Sequence, residues 1–261
     1  MALSVAVNAP RGGVEDFRAC IVIPVFNHGA GAETLLQRLA LLGLKTFLID
    51  DGSDAETRTV LHDLSDRYEW LEIRNHPTNQ GKGAAVMTGL YAAYKGGYTH
   101  AVQIDADGQH DPGDIPKFLH LARANPGNVI AGCPEFDSSV PKGRLIARYI
   151  THVWVWIETL SFSIRDSMCG FRVYPLEAVI RLAKRTRLGR RMDFDTEILV
   201  RLQWEGVSIH SLPTKVTYPV GGQSHFRLWQ DNCLISWMHT RLFFGMLWRV
   251  VSFQFGRPGA A

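Results

Sequence analysis

The sequence has little of what marks several large protein classes. Only four cysteines, Cys20, Cys133, Cys169 and Cys233, are spread over 261 residues, with no Cys-x-x-Cys spacing. That argues against a zinc site or a disulfide scaffold and fits a reducing compartment. No stretch offers the ~18–20 uncharged apolar residues of a spanning helix. A short apolar run near the N-terminus is followed by Glu15 and Asp16 and does not match a signal-peptide pattern. Gly-x4-Gly-Lys-Ser/Thr is missing, which excludes a Walker A loop, and missing Gly-x-Gly-x-x-Gly speaks against a dinucleotide enzyme. Nothing supports the paired acid and base carboxylates of a glycosidase. Net charge is only +3, and no nucleic-acid partner is expected.

What is present describes an ordinary globular chain, 46% hydrophobic and 20% charged, long enough for one large α/β domain with appendages. Its charge is uneven. Residues 1–141 hold 11 Lys and Arg against 17 Asp and Glu, whereas residues 142–191 hold 11 against 3. An acidic half suited to a metal is thus followed by a basic segment suited to phosphates or an anionic membrane.

Residues 1–18, with Gly and Pro, are expected to be a flexible N-terminus. Cys20-Ile21-Val22-Ile23-Pro24-Val25 is a continuous, β-branched apolar run and reads as a buried parallel strand. Leucines at helical spacing follow from Glu33 to Leu42. Thr46 to Ile49 is a second strand ending in Asp50-Asp51-Gly52-Ser53-Asp54, with Ser53 or Asp54 as the cap of the next helix. Leu71 to Arg74 is a third strand. Asn79-Gln80-Gly81-Lys82-Gly83 then leads into a small-residue helix from Ala84 to Tyr94. Strands alternating with helices predict a mostly parallel sheet, whose ligands bind beyond the carboxyl ends of the strands. The Gly-Lys-Gly loop at a helix start is a natural phosphate cradle.

The central stretch is Ala101-Val102-Gln103-Ile104-Asp105-Ala106-Asp107-Gly108-Gln109-His110. A short apolar strand ends in carboxylates at i and i+2, which start on the same side of the strand. Two hard oxygen ligands there suit Mg2+ or Mn2+ shared with substrate phosphates, with Gln109 as a third ligand. Arg144 and Arg148, at i and i+4, share one helix face in the basic segment.

Ile-Pro-Val-Phe-Asn, Asp-Asp-Gly-Ser, Asn-Gln-Gly-Lys-Gly and Asp-Ala-Asp-Gly-Gln-His, in this order, resemble family 2 glycosyltransferases, nearest to the dolichyl- and polyprenyl-phosphate sugar synthases. Asp166-Ser167-Met168-Cys169-Gly170-Phe171-Arg172 is similar to that branch's Asp-x-x-Ser-Gly-Phe-Arg, with Cys169 in place of Ser. Asp193-Phe194-Asp195-Thr196-Glu197-Ile198-Leu199 is similar to a further segment of the branch. The resemblance covers roughly residues 20–230. It implies a GT-A, Rossmann-like domain over 19–230, with amphipathic membrane-interface or oligomerisation helices over 231–261.

The resemblance also implies roles. Pro24, Phe26, Asp51, Lys82, Asp105 and Ala106 would line the nucleotide-sugar site, with His28 where the family usually has Glu. Asp105, Asp107 and Gln109 would hold Mg2+ or Mn2+. Arg144, Arg148 and Arg172 would face an acceptor phosphate, and Ser224, His225 and Arg227 would form a late lid, with His225 where Lys is usual. Asp107, the two arginines of the basic helix and Asp195 count as catalytic, and Asp193, Asp195 and Glu197 are the candidate bases should the acceptor be a hydroxyl. The expected activity is metal-dependent, inverting transfer from a UDP- or GDP-sugar to a lipid-linked acceptor, most simply polyprenyl phosphate. A non-catalytic nucleotide-sugar-binding scaffold is the alternative from another class. Large apolar residues over 233–255, and again over 149–164 with Trp154 and Trp156, predict peripheral contact at the cytoplasmic side of a membrane, or a homo-oligomer interface.

Overall fold

The computed structural model describes residues 17–136, 142–216 and 227–255. Seven strands, β1 (Ala19–Val25), β2 (Thr46–Asp50), β3 (Leu71–Asn75), β4 (His100–Gln103), β5 (Val129–Phe136), β6 (Arg172–Pro175) and β7 (Ile209–Val216), form one sheet in the order β3-β2-β1-β4-β6-β5-β7. All ladders are parallel except the two made by β6, which runs antiparallel between β4 and β5. The mostly parallel α/β sheet expected from the sequence is therefore present, with one reversed strand.

Eight α-helices cover the sheet: α1 (Gly29–Leu39), α2 (Ala55–Arg67), α3 (Lys82–Lys95), α4 (Ile115–Ala124), α5 (Lys142–Thr159), α6 (Leu176–Arg185), α7 (Phe194–Trp204) and α8 (Leu228–Phe255). Alternation along β1 divides the core. Cys20 and Val22 join a cluster with residues of α3, α6 and α7, while Ile21, Ile23 and Val25 join one with α1, α2 and α4. The small residues of α3 let it sit close on the sheet; a Cβ on Gly89 would lie 2.3 Å from Val22 Cγ1. Asp54 caps α2, its side chain accepting from Thr57 N at 2.8 Å.

The reversed strand carries a distant part of the chain to the ligand-binding rim. Gln103, last in β4, pairs with Arg172, first in β6. The segment that precedes β6, residues 166–171, therefore arrives at the carboxyl rim of β4, where the acidic pair lies. The C-terminal segment forms a single helix, α8, whose Met238 and Leu242 join the core. Among the described residues, no helix is long and apolar enough to cross a membrane.

Candidate active site

Asp105 and Asp107 follow β4 by two and four residues, and both line one cleft of about 70 Å3 with Gln109, His110, Pro134, Arg148, Met168, Cys169, Gly170 and Val216. Asp105 Oδ2 receives the Lys82 ammonium at 2.7 Å, whereas its Oδ1 is buried with no hydrogen-bond partner. Asp107 Oδ1 accepts Gln109 N–H at 3.0 Å. Burial, together with the charge of Asp105, pushes the Asp107 carboxyl up to about 6. Two carboxylates crowded together, one with an unanswered buried oxygen, fit a hard divalent cation. Among the described residues no cluster of three His, Cys, Asp or Glu side chains could cage a metal alone. The donor set therefore fits a cation that also takes substrate oxygens, the usual habit of Mg2+.

Lys82 is the first residue of α3, and its ammonium also meets Asp195 Oδ2 at 2.8 Å. Burial works against that charge, but Asp105 and Asp195 outweigh it and hold the lysine above its ordinary pKa. Gly170 closes over this pair. A Cβ there would lie 2.4 Å from Asp105 Oδ2 and 2.8 Å from Lys82 Nζ, so only glycine fits without displacement. Gly31 makes a similar approach, its missing Cβ leaving room for the Ala106 carbonyl.

Several expectations are redirected. Asp51 is 2% exposed, and its carboxylate accepts from His76 Nδ1 (2.7 Å), Gln80 N (2.9 Å) and Gly81 N (2.7 Å). It is spent on holding the loop before α3 instead of facing outward toward a ribose. Pro24 and Phe26 do lie at the rim, half-buried at and just beyond the end of β1, where Asn27 N–H bonds Ser53 Oγ and Asn27 Oδ1 accepts Asp54 N–H.

Arg172, expected to face an acceptor phosphate, is held inside the fold. The residue is fully buried and donates Nε to Cys169 O (2.7 Å), Nη1 to Tyr174 Oη (3.0 Å) and Asp195 O (2.6 Å), and Nη2 to Ser167 O (2.7 Å). Four of its five N–H groups are used, so it staples the 166–171 segment to α7. Asp195, a candidate base, is likewise engaged within the fold. It is 5% exposed and accepts from Lys82 and, at 3.3 Å, from Gln103 Nε2. Although burial opposes its charge, Lys82 and Arg172 hold its carboxyl below the ordinary value. Glu197 is buried and tied to Gly189 N–H, Arg201 and Arg241, so it joins α7 to α8.

Arg148 does line the cleft, paired in a fork with Asp166 through Nε at 2.5 Å and Nη2 at 2.7 Å. Arg144 lies on the same helix, but its side chain is outside the described residues, as are Ser224 and His225. Arg227 is exposed just before α8. An aspartate beside the cleft and a histidine lining it had no assigned role in the sequence. One is Asp166, which opens the Asp-Ser-Met-Cys-Gly-Phe-Arg motif. The other is His110, which closes the acidic motif. Burial pushes the His110 imidazole down to about 4, and its Nδ1 is buried without a partner.

A sheet whose carboxyl rim carries an acidic pair, a lysine at a helix start and a paired arginine defines a GT-A type of transferase. The chain belongs to glycosyl transferase family 2, whose model matches residues 20–185. It is 24% identical over 214 residues to the UDP-N-acetylglucosamine–dolichyl-phosphate N-acetylglucosaminyltransferase of Methanococcus voltae, covering 76% of this chain and 85% of the relative. It is 23% identical over 209 residues to the polyprenol monophosphomannose synthase of Mycolicibacterium smegmatis, covering 77% of each. Among solved structures it is similar to glucosyl-3-phosphoglycerate synthase of Mycobacterium tuberculosis with Mn2+, UDP-glucose and glycerol 3-phosphate. That match has a TM-score of 0.60 at 15% identity and covers 98% of this chain and 88% of that one. At this identity the likeness speaks for the fold.

Proposed function

We propose that this protein transfers a sugar from a UDP- or GDP-sugar to polyprenyl phosphate with inversion at the anomeric carbon, using Mg2+ or Mn2+ held by Asp105 and Asp107. The observation that carries this reading is the shared cleft: the acidic pair and Arg148 line one cavity. Two relatives named for dolichyl phosphate and polyprenol phosphate support the acceptor class, and a fold neighbour crystallised with Mn2+ and UDP-glucose supports the donor and metal.

The chemistry comes from the residues. A bound divalent cation would neutralise charge on the departing diphosphate. Lys82 and the start of α3 add positive potential on the same side. An acceptor phosphate is already an anion near neutral pH, so it needs orientation by cations more than it needs a base. Arg148 is the described cation on that wall, with Arg144 proposed beside it. A hydroxyl acceptor would require a base, and the engagement of Asp195 with Lys82 and Gln103, and of Glu197 with Arg201 and Arg241, disfavours two of the three candidates.

Peripheral membrane contact on the cytoplasmic side is part of the proposal. Ile146, Tyr149, Ile150, Val153 and Ile157 on α5 are all exposed at helical spacing, as are Trp237, Phe244 and Trp248 on α8. A homo-oligomer would cover the same face.

The test is turnover of UDP- and GDP-sugars with polyprenyl phosphate in vesicles and Mn2+. Expected are a sugar-phospholipid product from wild type and none from Asp107→Asn. Wild-type transfer only to a hydroxyl acceptor would overturn the acceptor assignment. Binding of sugar nucleotide without any turnover would favour a scaffold.

A further inference from the structure

Asp166 lies just before β6 and is 4% exposed, yet it accepts four hydrogen bonds. They divide between its two oxygens. Oδ1 accepts Met168 N–H at 2.9 Å and Cys169 N–H at 2.8 Å, along with Arg148 Nη2 at 2.7 Å. Oδ2 accepts Arg148 Nε at 2.5 Å and lies 3.3 Å from His152 Nε2. The first oxygen thus shapes the turn that ends in Gly170, the residue packed on Asp105 and Lys82. The two oxygens together fix the plane of the Arg148 guanidinium, and that side chain also lines the cleft.

We infer that Asp166 is a positioning residue that serves both halves of the reaction: Oδ1 sets the donor-side turn over Asp105, and Oδ2 completes with it the fork that aims Arg148 at the acceptor phosphate. The acceptor half rests on the proposed function. The division is chemically separable. Asparagine keeps one carbonyl oxygen for the two backbone amides, which cannot be satisfied otherwise. Its NH2 group then falls where Oδ2 was, donor facing donor at Arg148 Nε. Alanine removes both oxygens. The fork between a guanidinium and a carboxylate is lost in either variant, but the turn is lost only in alanine.

The experiment compares wild type, Asp166→Asn, Asp166→Ala, Arg148→Gln and the Asp166→Asn/Arg148→Gln double variant. Asp166→Asn should raise KM for polyprenyl phosphate about tenfold, the scale of one charge-assisted hydrogen bond, with Mn2+–nucleotide affinity held within about twofold. Asp166→Ala should weaken both. The double variant should match Arg148→Gln in acceptor KM, because Asp166 acts on the acceptor through Arg148. Donor and acceptor binding falling together in Asp166→Asn, or a further rise in KM in the double variant, would overturn the inference.

A second readout is independent of the acceptor. In NMR spectra of the side chains, Arg148 Nε–H should give a protected signal in wild type that disappears in Asp166→Asn, while the Met168 and Cys169 amides stay in place. If wild type never uses a lipid phosphate but this split appears, the proposed acceptor is wrong and the two-oxygen device stands. If the Arg148 signal survives in Asp166→Asn, the device itself is wrong.

Discussion

Arg172→Met removes a guanidinium from the middle of the molecule while keeping a side chain of similar length. Four bonds go with it, to the carbonyls of Ser167, Cys169 and Asp195 and to Tyr174 Oη. All four partners lie in buried surroundings, and the substitution leaves three carbonyls without these donors. Leaving a buried acceptor unsatisfied costs about 1–3 kcal/mol, which for three carbonyls puts the loss at about 3–5 kcal/mol or more. Hydrogen bonds to charged groups are worth about 1.5–3 kcal/mol each, so the lower end already assumes that water or repacking recovers most of them. For a chain of this size the loss corresponds to a fall in melting temperature of about 10 °C. Arg172→Lys should fall in between, since one ammonium cannot span three carbonyls and a phenol in a fixed fork. Thermal and urea unfolding would measure both. The reasoning fails if Arg172→Met melts within about 2 °C of wild type while its KM for polyprenyl phosphate climbs, for that would restore the acceptor role that burial denies it.

Gly170→Ala should leave the melting temperature close to wild type but weaken Mn2+–nucleotide binding about tenfold or more, because the new methyl meets Asp105 Oδ2 and Lys82 Nζ; calorimetric titration would show it, and unchanged affinity would mean the turn yields freely. The Asp166 carboxyl sits well below its ordinary value: burial opposes its charge, but His152 and Arg148 overcome that. Its folded-state pKa is depressed, so its contribution is fully present above the unfolded value near 4 and drains away as pH falls below it. Urea unfolding from about pH 6 to pH 2 should show the wild-type advantage over Asp166→Asn shrinking with acid, and a constant gap would refute the linkage. Replacing Trp237 and Trp248 by Ser should lower partition onto anionic vesicles about tenfold or more with no loss of melting temperature, as both are exposed; wild-type self-association without vesicle binding would point to an oligomer interface.

Residue types at strand ends were legible because the pattern that makes a buried strand also says where it stops. A short apolar run ending in Asp105 and Asp107 announces both the strand and the rim, and both carboxylates line the cleft. Which partner each polar group chooses was not legible. Asp51 resembles a ribose ligand by position, yet its carboxylate accepts from His76 and from the amides of Gln80 and Gly81, 25 to 30 residues later in the chain. Nothing local in Asp-Asp-Gly-Ser foretells that. Arg172 misleads for a related reason: arginine is rarely buried, so its presence in a motif reads as contact with an anion. Its actual partners are carbonyls that turn inward only once α7 has packed against the 166–171 segment. Asp166 did leave a signal, since an aspartate two and three residues before backbone amides is a familiar turn former. Its pairing with Arg148, 18 residues earlier on α5, left none.

The single reversed strand explains why the site draws on parts of the chain that lie so far apart. In a fully parallel sheet the segment before each strand lies at the amino rim, away from bound ligands. Because β6 runs the other way, the segment before it comes to the carboxyl rim and brings Cys169 and Gly170 into the cleft with Asp105. The same reversal puts Arg172 beside Gln103 at the last rung of β4, close enough to bond the Asp195 carbonyl while Lys82 bridges the Asp195 and Asp105 carboxylates. A helix start, a strand end and the entry to a reversed strand thus meet around one carboxylate. Shifting the β4–β6 register by a residue would turn Arg172 to the other face of the sheet and leave Asp195 with Lys82 as its main counter-charge. The strand reversal and the buried arginine are therefore one requirement, and a substitution that spares the arginine but loosens the register, such as Val173→Gly, should cost donor binding along with stability.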